Sequence, residues 1–145
     1  MASLTLTFNS PQEMVAWGHR FAGDLRKSDI VALVGELGAG KTTLVQSIAE
    51  AWGCRRGAHS PTFALANEYE TPHGRIYHMD MYRLKPHEVA GFPLEDYWGG
   101  GLCLIEWADR VRGRLPAGTI QVKFKITGPQ RRTLTVARPK RQRAA

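Results

Sequence analysis

Gly35-Glu36-Leu37-Gly38-Ala39-Gly40-Lys41-Thr42 decides the reading of this chain, because it satisfies the pattern GxxxxGK[ST] at every fixed position. That pattern is the phosphate-binding P-loop. Its flanks agree. Asp29-Ile30-Val31-Ala32-Leu33-Val34 is an apolar, β-branched run that predicts a buried strand, while Leu44, Val45, Ile48, Ala49 and Trp52 recur at helical spacing after the loop. An ordinary glycine-rich turn would not require this order of strand, loop and helix. Gly35, Gly38 and Gly40 admit backbone dihedrals closed to other residues. The successive N–H groups of the loop, those of Glu36, Leu37 and Ala39 among them, can then converge on a β-phosphate above a helix N-terminus. Lys41 is expected to bridge the β- and γ-phosphates, and the Thr42 hydroxyl to ligate Mg²⁺. Thr43 either touches the α-phosphate or is only a first-turn helix residue.

The chain has 145 residues, 43% of them hydrophobic, which suits one substantial core and is short for two. A single domain over residues 1–137 is expected, followed by a basic tail over 138–145. No charged-then-apolar leader opens the sequence, and no apolar segment approaches the roughly 20 residues that cross a bilayer. A cytoplasmic protein with no membrane partner is therefore expected. Cys54 and Cys103 lack metal-ligand spacing and suit a reduced compartment. The net charge is +7, but from Arg131 onward there are six basic residues and no acidic one, so the body of the chain is nearly neutral. The run Arg138-Pro139-Lys140-Arg141-Gln142-Arg143 is either a solvated end or a contact for phosphates or an acidic face.

The remaining segments supply further parts of a nucleotide site. Ser10-Pro11-Gln12-Glu13 reads as a capping box, with Met14, Trp17, Phe21 and Leu25 forming the apolar stripe of the helix it starts. After Gly53 the chain reads as a loop to Ser60. Ser60-Pro61-Thr62-Phe63 is either a turn or a switch in which Thr62 senses the γ-phosphate. Strands are expected over residues 64–69 and 75–80, joined as a hairpin by Thr71-Pro72-His73-Gly74. Asp80, at the end of the second, either caps the next segment or acts on metal-bound or attacking water. His78 lies among apolar residues and reads as a structural histidine. Leu102-Cys103-Leu104-Ile105 reads as a buried parallel strand that ends in Glu106, the placement of a Walker B-type carboxylate able to serve Mg²⁺ or the hydrolytic water. Trp107 beside it is either core or contact surface. Residues 119–127 and 132–137 alternate as two strands of a hairpin through Gly128-Pro129-Gln130-Arg131, whose Arg131 either reaches the nucleotide or is a turn residue.

Taken together, four segments resemble one family, the small bacterial ATPases TsaE (also called YjeE) of the tRNA threonylcarbamoyladenosine system. They are residues 35–43, Ser60-Pro61-Thr62-Phe63, His78-Met79-Asp80-Met81-Tyr82-Arg83-Leu84 and Leu104-Ile105-Glu106-Trp107, in the family's order and spacing. The resemblance implies an α/β, three-layer P-loop NTPase fold with a mixed, mainly parallel central sheet and antiparallel hairpin additions. It implies ATP and Mg²⁺ as cofactors, hydrolysis that is slow in isolation, and docking onto a TsaB–TsaD complex, with tRNA reached through that complex. It assigns metal binding to Thr42 and Glu106, a switch to residues 60–63, functional weight to Asp80 and Trp107, and a nucleotide contact to Arg131; with the P-loop reading, Lys41, Asp80 and Glu106 are the expected catalytic residues. Met14 departs from the family, which commonly has threonine there. A small-molecule kinase would share the P-loop but needs an acceptor pocket and usually an arginine-rich lid, and no lid insertion is evident. A switch that reads ATP without cleaving it would show nucleotide affinity with no phosphate release even beside TsaB and TsaD.

Overall fold

The structure, a computed structural model, describes residues 2–54 and 66–139. In chain order its elements are β1 (Ala2–Phe8), α1 (Pro11–Gly23), β2 (Ile30–Val34), α2 (Lys41–Ala51), β3 (Ala66–Thr71), β4 (Gly74–Asp80), α3 (Pro86–Gly91), β5 (Leu102–Glu106), β6 (Ile120–Ile126) and β7 (Arg132–Arg138). Short 3₁₀ segments occupy Leu94–Tyr97 and Ala108–Arg114. The switch expected at residues 60–63, with Thr62, falls outside the described residues. So do residues 140–145 of the expected tail.

All seven strands form one sheet in the order β1-β7-β6-β2-β5-β4-β3. The four central strands, β6, β2, β5 and β4, run parallel to one another, and antiparallel pairings add β3 at one edge and β7 then β1 at the other. Helices cover both faces, so the central strands bury both sides of each residue row and read as continuous apolar runs. Leu102 to Glu106 is buried throughout, and β2 is buried from Ile30 to Leu33. One core lies under α1 and α2, built on Val31, Leu33, Leu104 and Val122. The other, built on Ala32, Met79, Cys103 and Ile105, lies under α3 and the two 3₁₀ segments. The architecture is therefore an α/β layered fold whose sheet is parallel in the centre and antiparallel at its edges.

Two features differ from the sequence reading. β1 was not expected, yet its Leu4, Leu6 and Phe8 alternate with threonines, the period-2 signature of an edge strand. It pairs along its whole length with β7. Arg138, assigned above to the tail, is instead the last residue of β7, where its guanidinium lies 5.2 Å from the Phe21 ring and 3.8 Å from Asp24. The hairpins at Thr71–Gly74 and at residues 127–131 form as expected.

Helix α1 starts as its sequence dictates. The Glu13 N–H donates to Ser10 Oγ at 3.3 Å, while the Asn9 N–H donates to the Glu13 carboxylate at 2.8 Å, so two otherwise orphaned donors are satisfied at the helix entry. Met14, Trp17 and Phe21 then face the core, with the Trp17 and Phe21 rings stacked at 4.6 Å. Close packing sets the distance to α2. A Cβ on Gly18 would lie 2.8 Å from Ser47 Cβ and 3.0 Å from Leu44 Cδ1, and Ser47 Oγ donates to the Val15 carbonyl at 2.7 Å. Because α2 carries the end of the glycine loop, this approach also fixes where that loop sits.

Two stability measurements test this account. Urea denaturation of Ser10→Ala should show a loss of about 1 kcal/mol from the missing cap. Gly18→Val should cost about 1–3 kcal/mol through overpacking against Ser47 and Leu44. A parental midpoint for Gly18→Val would contradict the close helix approach.

Candidate nucleotide site

The loop between β2 and α2 makes a turn that only glycine enters without strain at two places: Gly38 has φ +81° and Gly40 has φ +107°. Gly40 caps α2 but provides no side-chain acceptor, so the N–H groups of the first turn face outward with the positive end of the helix dipole behind them. This is an anion cradle. It opens into a cavity of about 380 Å³ lined by Gly38, Gly40, Lys41, Thr42 and Thr43 on one side and by Asp80, Tyr82, Arg83, Glu106 and Trp107 on the other. Leu37, at the loop tip, lines the same cavity and is 70% exposed.

Lys41 is buried, and its ammonium donates to the Gly35 carbonyl at 2.6 Å and to the Glu36 carbonyl at 2.8 Å. The Trp107 ring lies 4.3 Å from the same nitrogen, within cation–π range. Burial pushes the ammonium below the ordinary lysine value, while Glu106, Asp80, Asp109 and Glu36 pull it back up. Trp107 is held at φ 57°, ψ 41°, the left-handed region, and is the one non-glycine residue with positive φ among the described residues. Such a conformation costs on the order of 1–3 kcal/mol and persists only where its surroundings determine it. Here the Tyr82 ring packs on the indole at 4.7 Å.

Glu106 ends β5, the strand that pairs in parallel with both β2 and β4. The registers set Glu106 beside Leu33 on one flank and beside Asp80 on the other. The Thr42 hydroxyl donates to Glu106 Oε1 at 2.9 Å. The second carboxylate oxygen, Oε2, lies 2.6 Å from His78 Nε2. Asp80 is half-buried and accepts from the Tyr82 N–H at 2.9 Å. Burial pushes its carboxyl above the ordinary carboxylate range; the Tyr82 hydrogen bond opposes that shift, and the Glu106 charge adds to it. A hydroxyl and two carboxylates around one cavity form an all-oxygen donor set, which suits a hard cation that keeps much of its water. Among the described residues no cluster of three or more His, Cys, Asp or Glu side chains could hold a metal alone.

A second cavity of about 130 Å³ adjoins the first across Gly38, Gly40 and Thr43, and is closed by Ser10, Pro11, Met14, Pro129, Gln130 and Arg132. Thr43 therefore stands where the two spaces meet. Arg131 lines neither: it is exposed, and its Nε donates to Asn9 Oδ1 at 3.2 Å. The neighbouring Arg132 takes that place, its guanidinium donating to the Gly38 carbonyl at 3.3 Å. Sequence reading did not single out Arg132. Strand alternation could have found it, because Arg132, Leu134 and Val136 share one face of β7 and Arg131 belongs to the turn. No helix among the described residues is long and apolar enough to cross a membrane.

The comparisons with known proteins agree with this geometry. A sequence profile of the family described as "Threonylcarbamoyl adenosine biosynthesis protein TsaE" matches residues 8–134. A Rickettsia bellii protein named tRNA threonylcarbamoyladenosine biosynthesis protein TsaE is 38% identical over 130 residues, which span 88% of this chain and 90% of that protein. Its namesake in Bacillus subtilis is 37% identical over 127 residues, spanning 87% of this chain and 80% of its own. The crystal structure of Bacillus subtilis YdiB superposes with a TM-score of 0.77 at 32% identity, covering 93% of this chain and 84% of the other. The glycine loop, the carboxylate-tipped neighbouring strand and these matches together establish that the chain belongs to the TsaE family of P-loop proteins.

Proposed function

We propose that this protein binds ATP with Mg²⁺ and hydrolyses it slowly, as the nucleotide-driven component of tRNA threonylcarbamoyladenosine synthesis, acting with a TsaB–TsaD complex. The observation that carries this reading is the meeting of the Thr42 hydroxyl and the Glu106 carboxylate, 2.9 Å apart, at the mouth of the anion cradle. The relatives support the pathway, since they are named tRNA threonylcarbamoyladenosine biosynthesis proteins.

The residues divide the work. Backbone N–H groups from Gly38 to Thr43 receive the phosphates, and Lys41 leaves the Gly35 and Glu36 carbonyls to meet them, exchanging two neutral acceptors for a charged one. Thr42 and Glu106 would hold Mg²⁺, which would supply charge neutralisation at the phosphates. Asp80 faces the same cavity with a carboxyl that burial makes more basic than usual, so it is the group placed to orient or deprotonate the attacking water. Met14, Gln130 and Arg132 bound the smaller cavity, where the nucleoside end lies. ATP orders the surface around the loop for the partner complex, and hydrolysis relaxes it.

Phosphate release measured with and without purified TsaB–TsaD and tRNA tests the proposal. Slow Mg²⁺-dependent release that rises with the partners supports it, and nucleotide binding with no release under either condition contradicts it. Lys41→Ala should weaken ATP binding about 10–150-fold, the equivalent of one charge-assisted contact of about 1.5–3 kcal/mol. Glu106→Ala should lower turnover about a hundredfold or more while changing nucleotide affinity far less. Asp80 gives a pH-dependent test. A carboxyl raised in the folded state destabilises the fold once pH climbs past the ordinary carboxylate range, and adds nothing below it. Asp80→Asn should therefore raise the melting temperature at pH 8, lose that advantage in acid, and release phosphate more slowly than the parent. A lower melting temperature at pH 8 would contradict the burial argument.

A further inference from the structure

Behind Glu106 a buried polar chain crosses three strands. Glu106 on β5 is 3% exposed, and its Oε2 lies 2.6 Å from Nε2 of His78 on β4, which is wholly buried. His78 Nδ1 in turn lies 3.2 Å from the hydroxyl of Tyr69 on β3, whose oxygen also accepts from Asn67 Nδ2 at 3.4 Å. The strand registers create this line. His78 pairs with Leu104 and stands diagonal to Glu106, and Tyr69 pairs with Ile76 and stands diagonal to His78. All three side chains therefore share one face of the sheet, within diagonal reach.

Packing alone does not call for this arrangement. His78 lies against the same core as Ile76, Leu102 and Leu104, where an aliphatic side chain would fill the space with no polar atom to satisfy. An aliphatic side chain would provide no donor to Oε2. A carboxylate oxygen only accepts, so the 2.6 Å contact requires a proton on Nε2. In the neutral ring Nδ1 then accepts from the Tyr69 hydroxyl, which selects that tautomer. The His78 contact holds the carboxylate from behind by Oε2, which leaves Oε1 as the oxygen turned to the cavity. That oxygen points at Thr42.

We propose that His78, itself oriented by Tyr69, is a positioning residue that turns Glu106 Oε1 towards the cation shared with Thr42. The proposal rests on the reading of Glu106 as a Mg²⁺ ligand and adds the residues that aim it. The pair plays the part that outer-shell partners play at metal sites, where losing one typically lowers metal affinity 10–100-fold.

The test is the affinity of Mn²⁺ for the full-length protein saturated with a non-hydrolysable ATP analogue, read by electron paramagnetic resonance well below each variant's melting temperature. His78→Leu should weaken Mn²⁺ binding about tenfold or more while metal-free analogue binding stays parental. His78→Gln, which restores a donor near the Nε2 position, should recover most of the loss, and Tyr69→Phe should show a smaller loss in the same direction. A role in packing alone would lower the melting temperature and leave Mn²⁺ affinity parental in the folded variants, which overturns the proposal. If His78→Leu does not fold, Tyr69→Phe decides, because it deletes one hydroxyl and keeps the ring in the core. Parental Mn²⁺ affinity for Tyr69→Phe overturns the proposal. Glu106→Gln separates the two levels of the reading. If it weakens Mn²⁺ binding and His78→Leu does not, only the positioning role fails. If Glu106→Gln itself binds Mn²⁺ normally, the ligand reading of Glu106 fails first.

Discussion

The site depends on one pairing, the parallel alignment of β2 with β5. β2 delivers the glycine loop and β5 delivers Glu106, so two residues 64 positions apart in the chain meet in a 2.9 Å hydrogen bond. Parallel neighbours need a long connection between them, and here it carries α2, the β3–β4 hairpin and α3. The carboxyl ends of adjacent parallel strands open on the same edge of the sheet. In α/β folds that is where ligands bind. The apolar runs that bury both faces of β2 and β5 therefore determine the chemistry indirectly, because any slip in register would move Glu106 away from Thr42.

The same edge gathers charges that the fold alone would not favour. Lys41, Asp80 and Glu106 lie partly or wholly out of water, and burial opposes the charged forms of both Lys41 and Asp80. The pull of both carboxylates on the Lys41 ammonium compensates in part, as do the Gly35 and Glu36 carbonyls and the Trp107 ring around it, while Asp80 and Glu106 repel each other. Trp107 adds backbone strain at the residue directly after Glu106. Unfavourably placed charge and strained backbone concentrated in one cavity are typical of sites maintained for function. The stability they cost is recovered elsewhere, in the two apolar cores on either side of the sheet.

Much of this was legible in the residues because the decisive signals are local. The glycine loop, the apolar run before it and the strand that ends in Glu106 each occupy fewer than ten consecutive positions. The helix entry at Ser10 and both hairpin turns were readable for the same reason. What escaped depends on partners distant in sequence or on elements too short to show a period. His78 reads as a structural histidine because its neighbours in the chain are apolar, and the carboxylate it touches lies 28 residues away. Helix α3, at six residues, spans fewer than two turns, too few for a 3.6-residue pattern to emerge. β1 escaped because threonine and leucine alternating near a chain end give a weak signal until β7 is there to pair with them. Arg131 and Arg132 are neighbours, and the choice between them needed the strand alternation of Arg132, Leu134 and Val136 to be followed back to the end of the turn.

Anomalous diffraction from crystals grown with Mn²⁺ and a non-hydrolysable ATP analogue tests the central claim most directly. The account predicts a manganese peak beside Thr42 Oγ1 and on the Glu106 side of the cavity, with the triphosphate seated over Gly38 to Thr43 and the Lys41 ammonium drawn off the Gly35 and Glu36 carbonyls. A nucleotide bound elsewhere, or a metal peak remote from Thr42 and Glu106 with their 2.9 Å hydrogen bond intact, would contradict it.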